Sequence, residues 1–470
     1  MLEHPTPSPA RTTARVTGIP GKRLRPALAA VAAGSALVTL AACSAPGSGS
    51  DSGASANATP TAVNTAVGDT PATLTLFSAA GLQKYEQGLA DAFQAKYPKI
   101  KVKLRVEADN NYNTVLPRVL ASDSAPDIVQ PYDLLGSVKD NLLTNLDAYN
   151  KAYGWSEKVP ASALAPGRVS MGVIGGGSLY QAGGSAGPLV GVFYNKELAA
   201  KVGMKTVPSS IAELESVMAK AKKQGITPIV ASNQDGLIGH LYNLLLGDYM
   251  GADKLSDIVY HQPDATLDTP EALKATKTLQ KWIKAGYFAS DVNAINQEAS
   301  YGQFTGGRGL FFFQGSWIVQ TIDKNFKGRY GVFPMPPATE GGPYAGMTSN
   351  TLAFSIASRS KNKDAAALFL DFLTTPEAAK VAVDSGYAAL ASEADKAAEP
   401  SLSGTLTEQI QAGYAAIAAD NGFDSWLQNA APEVNTKLTQ QLQLLVSGKV
   451  EPDAMVKTLQ TTYADALKSS

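Results

Sequence analysis

The feature that most restricts the fold of this chain is a change of hydrophobic period between Thr73 and Val106. Thr73-Leu74-Thr75-Leu76-Phe77 reads as a strand. Leu82, Tyr85, Leu89, Phe93 and Tyr97 then recur at spacings of three and four, the period of a helix, until Pro98 ends it. Ile100, Val102, Leu104 and Val106 alternate with Lys99, Lys101, Lys103 and Arg105, the period-two pattern of a half-buried strand. Strand, helix, strand in this order predicts parallel strands joined by a crossover helix, and therefore an α/β sheet.

The same grammar returns further on. Asp127-Ile128-Val129 follows the breaker Ala125-Pro126 as a short strand, and Val190 to Tyr194 is another, leading into a helix over Asn195–Val202. Ser210 and Glu213 have the spacing of a capping box for a helix striped by Ile211, Leu214, Val217 and Ala221 and ended by Gly225. Thr227-Pro228-Ile229-Val230 is again strand-like, and Leu310 to Phe313 is a fully apolar strand. Thr269-Pro270-Glu271 and Thr375-Pro376-Glu377 each place a capping hydroxyl, a proline and an acid at a helix start. About 400 residues of such mixed pattern exceed what one core usually holds, so two lobes are expected.

The N-terminus has a different character. Arg11, Arg15, Lys22, Arg23 and Arg25 stand against the single acid Glu3, and Ala27 to Ala42 carry no charge. This is the layout of a secretion signal, with an apolar run too short to span a bilayer stably. It ends in Leu40-Ala41-Ala42-Cys43, which resembles the lipobox of bacterial lipoproteins, where cleavage precedes a cysteine that receives the lipid. Ser44 to Asp69, rich in Ser, Gly, Ala, Thr and Pro, has the composition of a flexible tether.

The whole chain has net charge −1. Cleavage before Cys43 leaves 35 basic and 40 acidic residues, net −5. No broad basic surface for nucleic acid is present. Cys43 is the only cysteine, and only His240 and His261 follow it, so neither a disulfide nor a three-His or thiolate metal site is available to the exported part. The glycines at 172, 175, 176 and 177 and at 302, 306, 307 and 309 lack the spacing of a P-loop or dinucleotide fingerprint, and no serine nucleophile elbow occurs.

Four stretches resemble one family in order and spacing: Phe93 to Val102, Ala125-Pro126-Asp127-Ile128-Val129, Gly191-Val192-Phe193-Tyr194-Asn195-Lys196, and Phe304 to Trp317 with its Gly-Gly-Arg, apolar strand and Gly-Ser-Trp turn. Leu368 to Ala378 adds a typical helix pair. They are similar to the extracellular solute-binding proteins that serve sugar-importing ABC transporters, the maltose-binding group. The chain departs from that pattern at Gly386-Tyr387-Ala388-Ala389, where a Gly-aromatic-Ile-Pro turn is usual, and in the long Gly-rich segment Gly172 to Gly187, expected to be a mobile excursion.

The resemblance implies a two-lobe α/β fold of the periplasmic-binding-protein type (type II-like), each lobe a sheet flanked by helices and joined by a hinge. Residues 1–42 would be the signal peptide and 43–71 the tether. The N-terminal lobe would comprise 72–191 and about 350–415, the C-terminal lobe 192–349 and about 416–470. It implies a lipid-anchored receptor on the extracellular face of a Gram-positive membrane, a monomer that delivers a carbohydrate to permease subunits, with no catalytic residue, metal or cofactor. A secreted carbohydrate-active hydrolase or lyase, and a receptor for a non-sugar solute, are the alternatives.

A neutral sugar offers hydroxyls at its edge and an apolar C–H face, so its site needs planar hydrogen-bonding groups and aromatic plates. Trp317, after Gln314-Gly315-Ser316 at a strand-to-helix turn, and Trp426, where the relatives place a second stacking ring, are the aromatic candidates; for Trp426 a core role is equally open. Tyr132 and Asp133 follow the strand at 127–129, and Asn233 and Asp235 follow that at 229–231, at the ends where open α/β sheets bind ligands. Gln314 and Asn350, the latter near a lobe crossing, complete the ligand-binding set, and Cys43 is the lipidation site. Trp155 and Trp282 are expected in cores, and Asp127 in a structural turn.

Overall fold

The computed structural model describes residues 62–159, 164–183, 187–326, 328–347, 352–387 and 400–469. The leader, Cys43 and most of the tether, Asn350, and Ala388-Ala389 lie outside the described residues.

The opening pattern folds as its periods require. β1 (Ala72–Ala79) and β2 (Ile100–Glu107) pair in parallel, with Leu74 opposite Val102 and Leu76 opposite Leu104, and the helix Gln83–Lys96 crosses between them. β3 (Ile128–Val129) joins the other side of β1 in parallel, and β12 (Ser355–Ile356), from far along the chain, closes the sheet antiparallel to β3. The order is β12-β3-β1-β2. β1 is central and its side chains are buried on both faces. β2 is the edge, and Lys101, Lys103 and Arg105 stand in solvent along it, charges that discourage pairing with another chain. The core beneath joins Leu76, Leu89 and Phe93 to Phe354, Phe369 and Phe372, with Phe93 meeting Phe369 and Phe372 edge-on at 5.1 and 5.5 Å.

A second sheet has the order β10-β7-β9-β8. Its strands are β7 (Val190–Asn195), β8 (Ile229–Val230), β9 (Phe311–Gly315) and β10 (Tyr330–Phe333); β8 runs parallel to β9, and β7 antiparallel to both β9 and β10. The helix Ile238–Met250 is enclosed on nearly every side and takes His240 and Asn243 into the interior among its leucines. Trp155 and Trp282 are both in cores, their indole N–H groups bonded to Asp371 (3.1 Å) and Glu215 (2.7 Å). The helix Leu406–Ala419 packs Leu406, Ile410 and Ile417 among Phe193, Phe312 and Val332 of this second sheet. The chain thus forms two lobes, each a sheet with flanking helices.

Two local expectations change. Ser210 caps its helix by accepting from Glu213 N, but the Glu213 carboxylate turns to Ser209 N (2.8 Å), so the box is not reciprocal; a reciprocal one forms at Thr405 and Glu408. Around the Gly-rich segment, β4 (Arg168–Ser170), β5 (Val173–Ile174) and β6 (Ser178–Leu179) form a small antiparallel sheet with β4 in the middle. Hydrogen bonds from Ile174 N to Tyr260 O (3.1 Å) and from Gln262 Nε2 to Ile174 O (2.7 Å) hold this sheet to the second lobe.

Asp127 is the polar knot of the first lobe. Its carboxylate accepts from Thr75 N on β1 (2.8 Å), from Ser360 Oγ (2.6 Å) and from Asn362 Nδ2 (3.2 Å), tying β1 and β3 to the start of the helix Lys363–Phe372. Truncation leaves buried donors without a partner, at about 1–3 kcal/mol for each that water cannot reach. Asp127→Ala should therefore lower unfolding free energy by about 2–4 kcal/mol in urea titrations; a loss under about 0.5 kcal/mol, the scale of an ordinary surface change, would show that the knot is dispensable.

Candidate ligand-binding site

In open α/β sheets the loops at the carboxyl ends of the parallel strands form the crevice. Here such ends from both lobes face one another, and the second lobe supplies an aromatic half. β9 ends at Gly315, and a Cβ at that position would lie 1.9 Å from the Trp317 ring, so the glycine lets the indole fold back over the strand end. The Trp317 Nε1–H donates to Tyr301 Oη at 2.9 Å, and Tyr301 also accepts from Gln297 Nε2; both come from the helix Gln297–Thr305.

Trp426 arrives differently. β11 (Gly346–Met347) pairs in parallel with β13 (Phe423–Asp424), and the loop after β13 is clamped by Asn243 of the Ile238–Met250 helix. The Asn243 amide donates to Asp424 Oδ1 (3.1 Å) and accepts from Leu427 N (2.8 Å). Asp424 also lies against Gly247, where a Cβ would come within 2.1 Å of its carboxyl. Burial lifts the pKa of Asp424 and of neighbouring Asp248 well above the carboxylate range, Asp424 raising Asp248 further. The neutral form is thus favoured behind the Trp426 loop.

His240 joins the two indoles. Its ring centroid is 5.8 Å from that of Trp317 and 5.2 Å from that of Trp426, and the indoles are 6.0 Å apart, at interplanar angles of 71°, 61° and 49°. None of these pairs is a face-to-face stack. The indoles are half-buried and His240 is buried. His240 Nδ1 and Trp426 Nε1 have no hydrogen-bond partner in the protein. Burial lowers the His240 pKa to about 4, with a contact to Gln314 opposing the shift, so the imidazole is neutral near pH 7. Gln314 is buried and its Oε1 accepts from Gly315 N at 2.9 Å.

The first lobe carries phenols and one acid near the ends of β1 and β3. Tyr132, after β3, is 36% exposed and meets Tyr112 edge-on at 5.8 Å. Tyr112 donates to Phe77 O (3.1 Å) and accepts from Gln130 N (3.2 Å). Glu86, Tyr85 and Tyr387 lie behind. The lobes meet where Gly386, at φ +85°, passes Ser316: a Cβ there would sit 3.2 Å from Ser316 O. Gln411 Nε2 donates to Tyr387 O at 2.9 Å across the same junction.

Among the sequence candidates, the fold gathers Trp317, Trp426 and Gln314 around His240 and places Tyr132 on the opposing lobe. Others are engaged elsewhere. Asp133 caps the helix Leu134–Lys139 through Gly136 N (2.9 Å), and Asp235 accepts from Gln297 N (2.7 Å) at the start of the Tyr301 helix. Asn233 is fully buried and donates to Asn293 Oδ1 (2.6 Å), although its own Oδ1 is unpartnered. His240, Tyr301 and Glu86 went unnoticed in the sequence because each lies inside a helical pattern that packing alone explains. A recess of about 430 Å³ elsewhere, lined by Val67, Pro71, Tyr149 and Ser360 to Ala365, has its one aromatic hydroxyl already donating to Asp364 (2.8 Å).

Against known proteins, the sequence pattern of the bacterial extracellular solute-binding proteins matches residues 79–380. The chain belongs to this family. It is 26% identical over 293 residues to a binding protein of Brucella abortus, covering 59% of this chain and 65% of that one, so the match spans just under two thirds of the relative. It is 23% identical over 316 residues to an uncharacterized ABC transporter extracellular-binding protein of Pyrococcus horikoshii, covering 64% and 67%. Among solved structures, a chitin oligosaccharide binding protein superposes with TM-score 0.65 at 21% identity, covering 84% of this chain and 99% of that one. The GacH receptor of Streptomyces glaucescens, whose complex with acarbose is known, gives 0.68 at 19%, covering 85% and 99%. These likenesses fix the fold of this solute-binding protein as the two-lobe one.

The lowered pKa of His240 has a sign that can be checked. The unfolded imidazole takes up a proton below about pH 6.5, whereas the buried one resists until about pH 4. The native state therefore holds fewer protons in this window, and stability is complete above pH 6.5 and falls as the pH drops, by up to about 3 kcal/mol in total. Urea unfolding between pH 4 and 7.5 should show this loss in the wild type relative to His240→Phe, which keeps a ring but cannot protonate; parallel profiles would contradict a buried neutral imidazole.

Proposed function

We propose that this protein is an extracellular receptor that binds a neutral sugar or oligosaccharide between its lobes and delivers it to an ABC permease, hydrolysing nothing. The observation that carries the proposal is the cluster of Trp317, Trp426 and His240, held at the strand ends by Gly315, Tyr301 and Asn243 and facing the phenols of the other lobe. Aromatic plates beside neutral hydrogen-bonding groups suit the C–H face and hydroxyl edge of a pyranose. Asp109, Asp133 and Asp235 on the rim disfavour anionic ligands. The sugar-binding relatives of the same fold support this reading. The lobes would be those set out from the sequence, except that the Leu406–Ala419 helix, packed on the second sheet, would belong with the second lobe. Closure about the crossings would desolvate the ligand.

Cys43 would carry the lipid, with the residues that follow it as the tether, shorter than read from the sequence because Val67 already packs into the core of the first lobe. A thermal-shift screen with maltotriose, chitotriose, xylotriose and galactose at millimolar concentration tests the ligand class. A sugar bound at micromolar Kd adds about 4 kcal/mol at a thousandfold excess. Flat melting curves for all four would sink the sugar reading, and reducing ends accumulating with time would point to a hydrolase instead. Trp317→Ala should weaken the responsive sugar about tenfold, the order expected for an aromatic contact, and quench the fluorescence response. Cys43→Ser should shift the protein from the membrane fraction to the medium; unchanged membrane retention would contradict the anchor.

A further inference from the structure

Glu86 occupies the first turn of the helix Gln83–Lys96 and is 1% exposed, yet neither carboxyl oxygen has a hydrogen bond of good geometry. Ser78, at the end of β1, lies beside it and slightly favours its charged form, but the Ser78 hydroxyl donates to Ala79 O at 3.1 Å. The titratable groups around it are Tyr85 on its own helix, Asp109 and Tyr112 on the helix Asp109–Ala121, Tyr132 after β3, and Tyr387 after the helix Pro376–Asp384. These are acids and phenols. The guanidinium of Arg105 lies over the Phe77 ring at 5.2 Å. Burial accordingly raises the Glu86 pKa to about 8. Near pH 7 the group is largely a neutral carboxylic acid, offering one O–H donor and one carbonyl acceptor that the protein does not use.

Its position gives this meaning. A buried polar group without a partner destabilises a fold, and leucine at the same place would remove the penalty. Glu86 sits in the helix that follows β1, near enough to Tyr132 and Tyr387 for its charge to raise their pKa values. Tyr132 is the partly exposed phenol after β3, and Tyr387 follows Gly386, which meets Ser316 of the second lobe.

Resting on the receptor reading, we propose that Glu86 is a ligand-recognising residue of the first lobe, whose carboxyl donates to one hydroxyl of a bound saccharide and accepts from its neighbour. A vicinal diol presents this donor and acceptor pair. The Trp317 cluster would take the apolar face from the opposite lobe.

The test compares wild type, Glu86→Leu and Glu86→Gln by melting temperature without sugar and by fluorescence titration with maltotriose, chitotriose, xylotriose and galactose at pH 6.5 and 9. Glu86→Leu should melt at or above the wild-type temperature, yet bind the responsive sugar at least tenfold more weakly. Glu86→Gln, which keeps a donor and an acceptor, should stay within about threefold at pH 6.5. Raising the pH to 9 ionises the wild-type group and removes its donor, so wild-type affinity should fall while that of Glu86→Gln stays level. The native state retains a proton that the unfolded chain gives up above about pH 4.5, so wild-type stability should also fall between pH 4.5 and 8 relative to Glu86→Gln. If Glu86→Leu binds the sugar as tightly as wild type, the assignment is overturned and the receptor reading stands. If wild type binds none of the four, both fall together. Should Glu86→Leu fail to fold, the glutamine variant decides alone: matching wild-type and variant affinity profiles from pH 6.5 to 9 reject the proposal.

Discussion

The direction of the central strands is the constraint on which the rest of this structure depends. β1, β2 and β3 are parallel, as are β8 and β9, so each chain crossover returns along a helix and the carboxyl ends of these strands gather on one side of each sheet. Backbone groups at those ends have no further ladder partner and must be met by loops. The loops are consequently where the sequence is free to place chemistry, and in both lobes they carry aromatic groups: Tyr132 in one, Trp317 in the other. Both sets lie at the crevice because both sheets obey the same rule.

That geometry explains why the crevice is supported so heavily from behind. A half-buried indole is useful only if it keeps one orientation, and an exposed loop cannot provide that by itself. Trp317 is fixed by its bond to Tyr301 and by the missing side chain of Gly315, while Trp426 is fixed by the Asn243 clamp on either side of it. These supports come from two helices and a strand end rather than from the loops themselves. The arrangement tolerates unpartnered polar atoms at His240, Trp426 and Glu86, each at a cost of about 1–3 kcal/mol.

Much of this was legible in the sequence, and the boundary of legibility is physical. Period changes at Thr73 to Val106 fixed the order of β1, helix and β2, and the apolar run at Leu310 to Phe313 gave a central strand, because a side-chain period reports burial directly. The Gly-Ser-Trp turn pointed to Trp317. The position of β12 beside β3 was not readable, since a two-residue strand more than 200 residues away has no period to report. His240 and Glu86 were missed for a related reason. Each falls within a regular helix, and whether a buried polar residue faces a core or a crevice depends on which element packs opposite, which a helical period does not encode. Asp133 and Asp235 illustrate the reverse: both stand at strand ends as expected, yet helix starts claim their carboxylates.

The electrostatics of the two half-sites then follow from burial rather than from charge pairing. In the second lobe, desolvation depresses the basicity of His240 and favours the neutral acids at Asp248 and Asp424; in the first it does the same to Glu86. The acids at Glu86, Asp248 and Asp424, ions in water near pH 7, are thus favoured in their neutral form, while the carboxylates of Asp133 and Asp235 are exposed to solvent. A charged ligand would have to be stripped of water against walls offering no counter-ion, which is expensive in a low-dielectric cleft. A ligand whose polarity lies in hydroxyls loses only hydrogen bonds that neutral donors and acceptors can replace. The physical chemistry of these buried groups therefore disfavours an ionic ligand, in keeping with the neutral sugar proposed above.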